Sequence, residues 1–267
     1  MDRNSGYSEK DHTWVICAYQ ESPYLEECIL SLKDQTKTSR IQIVTSTPNE
    51  HISRLAEKYE IPLDINNGEK GIGEDWNFAL ENGRTELVTL AHQDDRYESD
   101  YLQTMLSMMN RAKDPILFFT NYYEIKNGQR TDKDKLLRIK RLMLMPVRLF
   151  PEKRWARRLS ICFGNPICCP SVTYRKSVLN GRKFSSEFKS NMDWEMMEGL
   201  SRLSGTFVYA STPLVGHRIH EGSTTSKLIE KNLRTQEDYE MMRKFWPDRI
   251  AQCLSKVYAN SEKSNAV

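Results

Sequence analysis

The stretch Leu87-Val88-Thr89-Leu90-Ala91-His92-Gln93-Asp94-Asp95 constrains this chain more than any other. Five uncharged, mostly apolar residues run without alternation into a polar cluster that ends in two adjacent carboxylates. A short, unbroken apolar run is the pattern of a strand buried on both faces, as in a parallel sheet covered by helices. Acids at the carboxyl end of such a strand lie where open α/β sheets bind their ligands. Two carboxylates there suit a divalent cation, which in such sites usually carries phosphate. The competing reading is a solvated turn, where Asp is common because its side chain hydrogen-bonds the local backbone.

The first half repeats this theme. Trp14-Val15-Ile16-Cys17-Ala18-Tyr19 is a second apolar run, followed by the helix-start signal Ser22-Pro23. Tyr24, Leu25, Cys28, Ile29 and Leu32 then recur at helical spacing. Ile41–Val44 is the next strand, and Pro48-Asn49 opens a helix with the stripe Ile52, Leu55, Ala56 and Tyr59. A short strand, Leu63–Ile65, precedes the loop from Asn66 to Gly73 and a helix from Glu74 to Leu80. After the two acids come a helix marked by Leu102, Met105, Leu106 and Met109, a strand at Ile116–Phe119, and a tight turn at Asn127-Gly128. Strands alternating with helices predict an α/β fold with a Rossmann-like, mostly parallel central sheet flanked by helices.

The middle breaks the pattern. Leu136, Ile139, Leu142 and Met143 share a helical face, with Lys135, Arg138, Lys140 and Arg141 interleaved, and Pro146 and Pro151 interrupt any long helix. Arg154, Arg157 and Arg158 surround Trp155. The net charge of +3 is too small to imply nucleic acid, yet Thr131 to Arg158 holds ten Lys/Arg against three Asp/Glu, a local +7. We read 131–160 as a basic helical insertion whose 135–158 portion suits peripheral contact with an anionic membrane; the alternative is a solvated flank. No nucleic-acid module accompanies the charge, so no nucleic-acid partner is expected.

Beyond it, Ser171–Tyr174 reads as a strand, Asn191–Leu203 as a helix, and Phe207–Tyr209 and Leu214–Val215 as short strands. A polar segment, Gly216 to Ser226, is rich in anion-compatible groups, and helices near Leu228–Phe245 and Arg249–Tyr258 follow. The expected organisation is one α/β domain over 1–226, a C-terminal helical extension over 227–259 and a disordered tail over 260–267. Charged residues at 28% and hydrophobic ones at 39% are ordinary for a globular protein. Met1–His12 does not resemble a signal peptide, and no run approaches the roughly 18 apolar residues of a membrane span. The six cysteines lack zinc-type spacing and read as buried free thiols in a reducing cytosol. The expected location is cytoplasmic, at the inner face of the plasma membrane.

Taken in order, these stretches resemble the family 2 glycosyltransferases of the GT-A fold over most of the chain. The residues carrying the likeness are the first strand and turn, Ile16 to Glu21; the helix Tyr24–Gln35; Gly71 and Asn77 before the acids; His92-Gln93-Asp94-Asp95; the helix acid in Met192-Asp193-Trp194-Glu195; and Arg218-Ile219-His220. The resemblance implies transfer of a sugar, with inversion, from a nucleotide-diphosphate sugar to an acceptor hydroxyl, assisted by Mn²⁺ or Mg²⁺. It implies Asp95 and His220 as metal ligands, and Asp193 as the base that takes the acceptor proton, with Glu195 as the alternative. Ala18, Tyr19, Glu21, Ser46, Gly73, Asn77, Asp94 and Arg218 are implied as contacts to the donor, and His217 as a further diphosphate contact. A UDP-sugar donor is favoured, with a glycan or lipid-linked acceptor in surface-polysaccharide or glycoconjugate synthesis of the bacterial type.

Two departures stand out. Many members carry Asp at the end of the second strand to read the base, where this chain has Thr45-Ser46-Thr47, and the first acid of the metal motif is His92 here. They motivate a rival reading, a catalytically impaired sugar-nucleotide-binding subunit that partners another transferase. A nucleotidyltransferase on a related sheet is a third. The loop at Gly71 and Gly73 lacks the dinucleotide fingerprint, which argues against a dehydrogenase.

Overall fold

The computed structural model describes residues 6–220 and 233–263. A nine-stranded sheet forms its centre, ordered β3-β2-β1-β4-β8-β6-β9-β5 with β7 pairing β6 at one end. The strands are β1 (His12–Ala18), β2 (Arg40–Thr45), β3 (Leu63–Ile65), β4 (Leu87–His92), β5 (Arg96–Tyr97), β6 (Pro115–Lys126), β7 (Gln129–Thr131), β8 (Val172–Arg175) and β9 (Thr206–Ile219). Strands β3, β2, β1 and β4 run parallel. Beyond β4 the sheet is mixed: β8 is antiparallel to both β4 and β6, β9 is parallel to β6, and β5 is antiparallel to β9. The expectation of a mostly parallel sheet therefore holds for the first half and is corrected for the second. The short β8, reached through the insertion rather than through a βαβ crossover, is free to enter antiparallel.

Helices α1 (Leu25–Lys33), α2 (Glu50–Lys58), α3 (Ile72–Asn82) and α4 (Tyr101–Arg111) follow the strands as the apolar stripes predict. Local chemistry sets their starts: the Asn49 side chain accepts from Ile52 N at 2.9 Å and caps α2. Apolar strand residues alternate between two cores. Trp14 and Ile16 of β1 and Leu87 and Ala91 of β4 pack with α1, α2 and α4, while Val15, Val88 and Leu90 face the opposite core. Burial on both faces is why these strands read as continuous apolar runs. The tight turn is present, with Asn127 and Gly128 at φ 50° and 75° between β6 and β7.

The insertion folds as three short helices, α5 (Lys135–Met143), α6 (Met145–Leu149) and α7 (Arg154–Ile161), broken near the prolines. Asp134 caps α5 through Leu136 N at 2.9 Å. The stripe Leu136, Ile139, Leu142 and Met143 is not its buried face: only Leu137 of α5 is buried, and Leu142 is 70% exposed. Arg157 does not belong to the basic surface either. It is 1% exposed, donates to the carbonyls of Leu203 and Gly205, and lies over the Phe207 ring.

Then come α8 (Lys176–Leu179), α9 (Met192–Ser201), α10 (Leu233–Arg243) and α11 (Asp248–Lys263). The two strands expected at 207–209 and 214–215 are one strand, β9, whose pairing with β6 shifts register near Asn121. The C-terminal helices are integral to the core, since Met241, Met242 and Ala251 pack in the same cluster as Trp194 and Met196. Helix α11 ends at Lys263; residues 221–232 and 264–267, which the polar segment and the tail include, lie outside the described residues. Among the described residues no helix is long and apolar enough to cross a membrane. All six cysteines are free, with Cys28, Cys162 and Cys169 buried and Cys253 exposed, a correction to the expectation of uniform burial.

Candidate active site

The site forms where β4 ends, at the centre of the sheet and beside the far end of β9. Pairing of Arg96 with Gly216 and Tyr97 with Val215 brings His217, Arg218 and His220 against the two acids. Gly216 is required for that approach, because a Cβ there would stand 2.7 Å from the Tyr123 ring on β6. Asp95 is 1% exposed. Its Oδ1 accepts from Arg218 N at 2.8 Å and lies 3.1 Å from His217 Nδ1. Burial pushes this carboxyl up, but the neighbouring His217 and His92 and the Arg218 N–H outweigh it and hold Asp95 below the usual carboxylate range. Burial lowers the His217 imidazole and Asp95 more than restores it, so His217 sits above its ordinary value.

Asp94 lies further out. Its Oδ2 is 3.0 Å from His220 Nε2, and its carbonyl accepts from Arg218 Nε at 2.9 Å. Arg218 also donates to Glu27 of α1 at 2.6 Å and lies 4.3 Å over the Tyr24 ring, which His220 contacts in turn. His92 stacks on Trp76 of α3 at 5.2 Å, and its Nδ1 is 3.9 Å from Asp95 Oδ2. Burial depresses His92, with Asp95 and Asp94 acting against it. Ligand atoms of His92, Asp94 and Asp95 fall within 4.8 Å of one another, and the buried His92 Nε2 has no hydrogen-bond partner. Two carboxylates and an imidazole at this spacing fit a divalent ion such as Mn²⁺.

The second half of the site is carried by α9. Asp193, in its first turn, accepts from Trp194 N at 2.7 Å and from Asn165 Nδ2 at 3.0 Å, and is near enough to act electrostatically on His92. Glu195 is engaged differently, 3.0 Å from Lys244 Nζ. The turn entering α9 is held from α10: the Glu237 carboxylate accepts from the backbone N–H groups of Lys189, Ser190 and Asn191, and Asp238 accepts from the Asn191 side chain. Acceptance of three backbone donors by one buried carboxylate fixes a turn that has no other regular structure.

A family model described as "Glycosyl transferase family 2" matches residues 13–181. The chain belongs to glycosyl transferase family 2. No curated protein matches it. Among solved structures, residues 1–349 of TarS from S. aureus superpose with TM-score 0.60 at 16% identity, covering 92% of this chain and 69% of that one. The same TarS portion in complex with UDP-GlcNAc gives TM-score 0.59 at 17% identity, covering 92% and 70%. The mannosyltransferase PcManGT from Pyrobaculum calidifontis, in complex with GDP-Man and Mn²⁺, gives 0.62 at 12% identity, covering 93% and 69%. At these identities the likeness establishes the GT-A fold.

On this family 2 framework the expected donor contacts separate. Ala18 is buried at the end of β1, while Tyr19 and Glu21 are exposed in the turn after it, where the Gln93 amide exchanges two hydrogen bonds with the Tyr19 backbone. Ser46 is buried and donates to Asp75 at 2.7 Å, and Asn66 donates to the other Asp75 oxygen at 2.9 Å. Asn77 and Gly73 are engaged in packing. Both ends of the Asn77 amide bond the Phe184 backbone, and Gly73 lies against Met192 and Ser185. The sequence reading missed Asp75, Glu27, Trp76, Asn165 and Glu237. Asp75 carried a signal, an acid in the first turn of a helix after a glycine-rich loop; the others are brought in only by tertiary packing.

Proposed function

We propose that this protein transfers a sugar, with inversion, from a nucleoside-diphosphate sugar to an acceptor hydroxyl in surface-polysaccharide or glycoconjugate synthesis. The observation that carries the reading is the buried Asp95 turn facing the Asp193 helix, with Asn165 orienting the Asp193 carboxylate. Tyr19, exposed after β1, and Ser46, backed by Asp75, are the positions for the nucleoside; a UDP-sugar is the favoured donor. His92, Asp94 and Asp95, with His220 swinging from Asp94, would hold Mn²⁺ or Mg²⁺. When bound, that ion offsets the charge that develops on the leaving diphosphate. Arg218 holds the Asp94 backbone and so positions the motif. Asp193 accepts the proton of the acceptor hydroxyl as it attacks, at the face opposite the leaving group. Glu195 is the weaker candidate, since Lys244 already neutralises it.

The deciding experiment is a thermal-shift panel of nucleotide sugars with and without Mn²⁺, followed by identification of the product anomer. Stabilisation by one donor and an inverted product support the reading; no stabilisation by any donor overturns it. The rival, a donor-binding partner without turnover, is motivated by His92 standing in the acid position. It is separated by Asp193→Asn: loss of turnover with retained donor binding favours the transferase, and unchanged function of the assembly favours the partner.

A further inference from the structure

The described residues expose fourteen large hydrophobic side chains, and eight of them fall between residues 133 and 163, seven in the insertion and Phe163 just beyond it. Of the fifteen exposed positions between 133 and 163, eight are large and apolar, six are Lys or Arg, and one is acidic, Glu152. No exposed position in this stretch carries a neutral polar side chain. An ordinary solvated flank would not look like this, because scattered apolar residues are normal and a dense group of them is not. Leu142 of α5 is 70% exposed, Leu149 of α6 is 61% exposed and Trp155 of α7 is 54% exposed. Phe150 and Trp155 meet at 5.4 Å between ring centroids, so part of the apolar surface is continuous across the α6–α7 turn. The cations among them are Lys133, Lys135, Arg138, Arg148, Lys153 and Arg154.

We propose that the α5–α7 insertion is a docking face for an anionic lipid bilayer, with its leucines and Trp155 entering the interfacial layer and its cations meeting lipid phosphates. Short amphipathic helices with basic flanks lie in the membrane interface by this combination of apolar burial and charge attraction. A second copy of the chain fits less well, since a self-complementary face would bring its six cations against each other. Nucleic acid offers no apolar layer for Leu142, Leu149 and Leu159. The face adjoins both halves of the site. Lys140 of α5 donates to Tyr122 at 2.7 Å, whose ring contacts His217, and Asn165, just beyond α7, donates to Asp193. A bilayer docked here lies alongside the acceptor side, and a lipid-linked acceptor reaches Asp193 from it; this last consequence rests on the transferase reading.

The test is co-sedimentation of the full chain with vesicles of phosphatidylcholine alone and with about 30% phosphatidylglycerol, at low and at physiological salt. Binding to the anionic vesicles only, weakened by salt, is expected. Leu142→Ser/Leu149→Ser/Trp155→Ser is expected to weaken it at least about tenfold, and Lys135→Gln/Arg138→Gln/Arg154→Gln likewise. All six side chains are exposed, and an unchanged melting temperature verifies folding. Failure to bind anionic vesicles, or equal binding by the triple leucine–tryptophan variant, overturns the proposal. A dimer in sedimentation velocity that this variant dissolves assigns the face to a second copy and also overturns it. Donor stabilisation measured without vesicles reports on sugar transfer separately, so the two readings fail independently.

Discussion

Arg218 at the end of β9 donates to the Glu27 carboxylate on α1 at 2.6 Å, tying the last strand to the first helix across the mouth of the site. The two partners differ in burial: the Arg218 side chain is 9% exposed and that of Glu27 is 46% exposed. Truncation should therefore be asymmetric. Arg218→Ala also removes the bond to the Asp94 carbonyl and should cost about 2–3 kcal/mol, whereas Glu27→Gln should cost under about 1 kcal/mol. Urea unfolding of both variants checks this, and equal losses would contradict it.

Asp193→Asn should lower turnover at least about a hundredfold while leaving donor-induced thermal stabilisation intact, because the proton acceptor is lost and the metal turn is not. Glu195→Gln should keep most turnover, since its partner Lys244 lies on α10. Measuring kcat and donor melting shifts on the same preparations separates the two acids.

Asp95→Asn should abolish the Mn²⁺-dependent part of donor stabilisation, and chelation of the wild type should do the same. His92→Asp should move ion preference toward Mg²⁺, because an imidazole nitrogen favours transition ions and a carboxylate does not. Isothermal titration with each ion, in the presence of nucleoside diphosphate, reads this without any turnover.

His12 gives the chain an acid-sensitive core. It is fully buried between Ser39 and Thr89, each 2.8 Å from a ring nitrogen, and burial pushes its pKa down to about 3 from an ordinary 6.5. Below pH 6.5 the unfolded chain takes up a proton that the folded chain refuses, so stability falls as the pH drops from 6.5 toward 3. The slope approaches about 1.4 kcal/mol per pH unit from this residue at its steepest. His12→Gln should flatten that dependence in a series of denaturant titrations, even though it lowers stability at neutral pH. An unchanged slope would show that His12 charges within the fold.

Much of this architecture was legible in advance because it rests on local pattern. The runs at β1 and β4 and the stripes of α1, α2 and α4 declare themselves through burial on both faces and through helical period. The pair Asp94-Asp95 and the triplet from Arg218 to His220 were readable as residue types, and the fold brings them together. The α5 stripe misled because period reports that one face is apolar, not what that face meets. Arg157 misled because its charge reads as surface in sequence, while the Leu203 and Gly205 carbonyls accept from it inside. Asn77 fastens the Phe184 backbone, a partner 107 residues away that no spacing rule reaches. The mixed character of the sheet depended on how β8 enters between β4 and β6, which is decided by long-range packing.

The grip of Glu237 and Asp238 on the turn before α9 bears on how this gene can be cut. The family 2 match stops at residue 181, yet the acid at 193 is held in place from α10. A fragment designed to the boundary of that match would keep the β4 turn and forfeit the helix that faces it. A fragment ending at β9 would carry Asp193 on a loosened stalk. The smallest portable version of this enzyme extends at least through α10, and domain swaps with relatives should exchange α9 and α10 together.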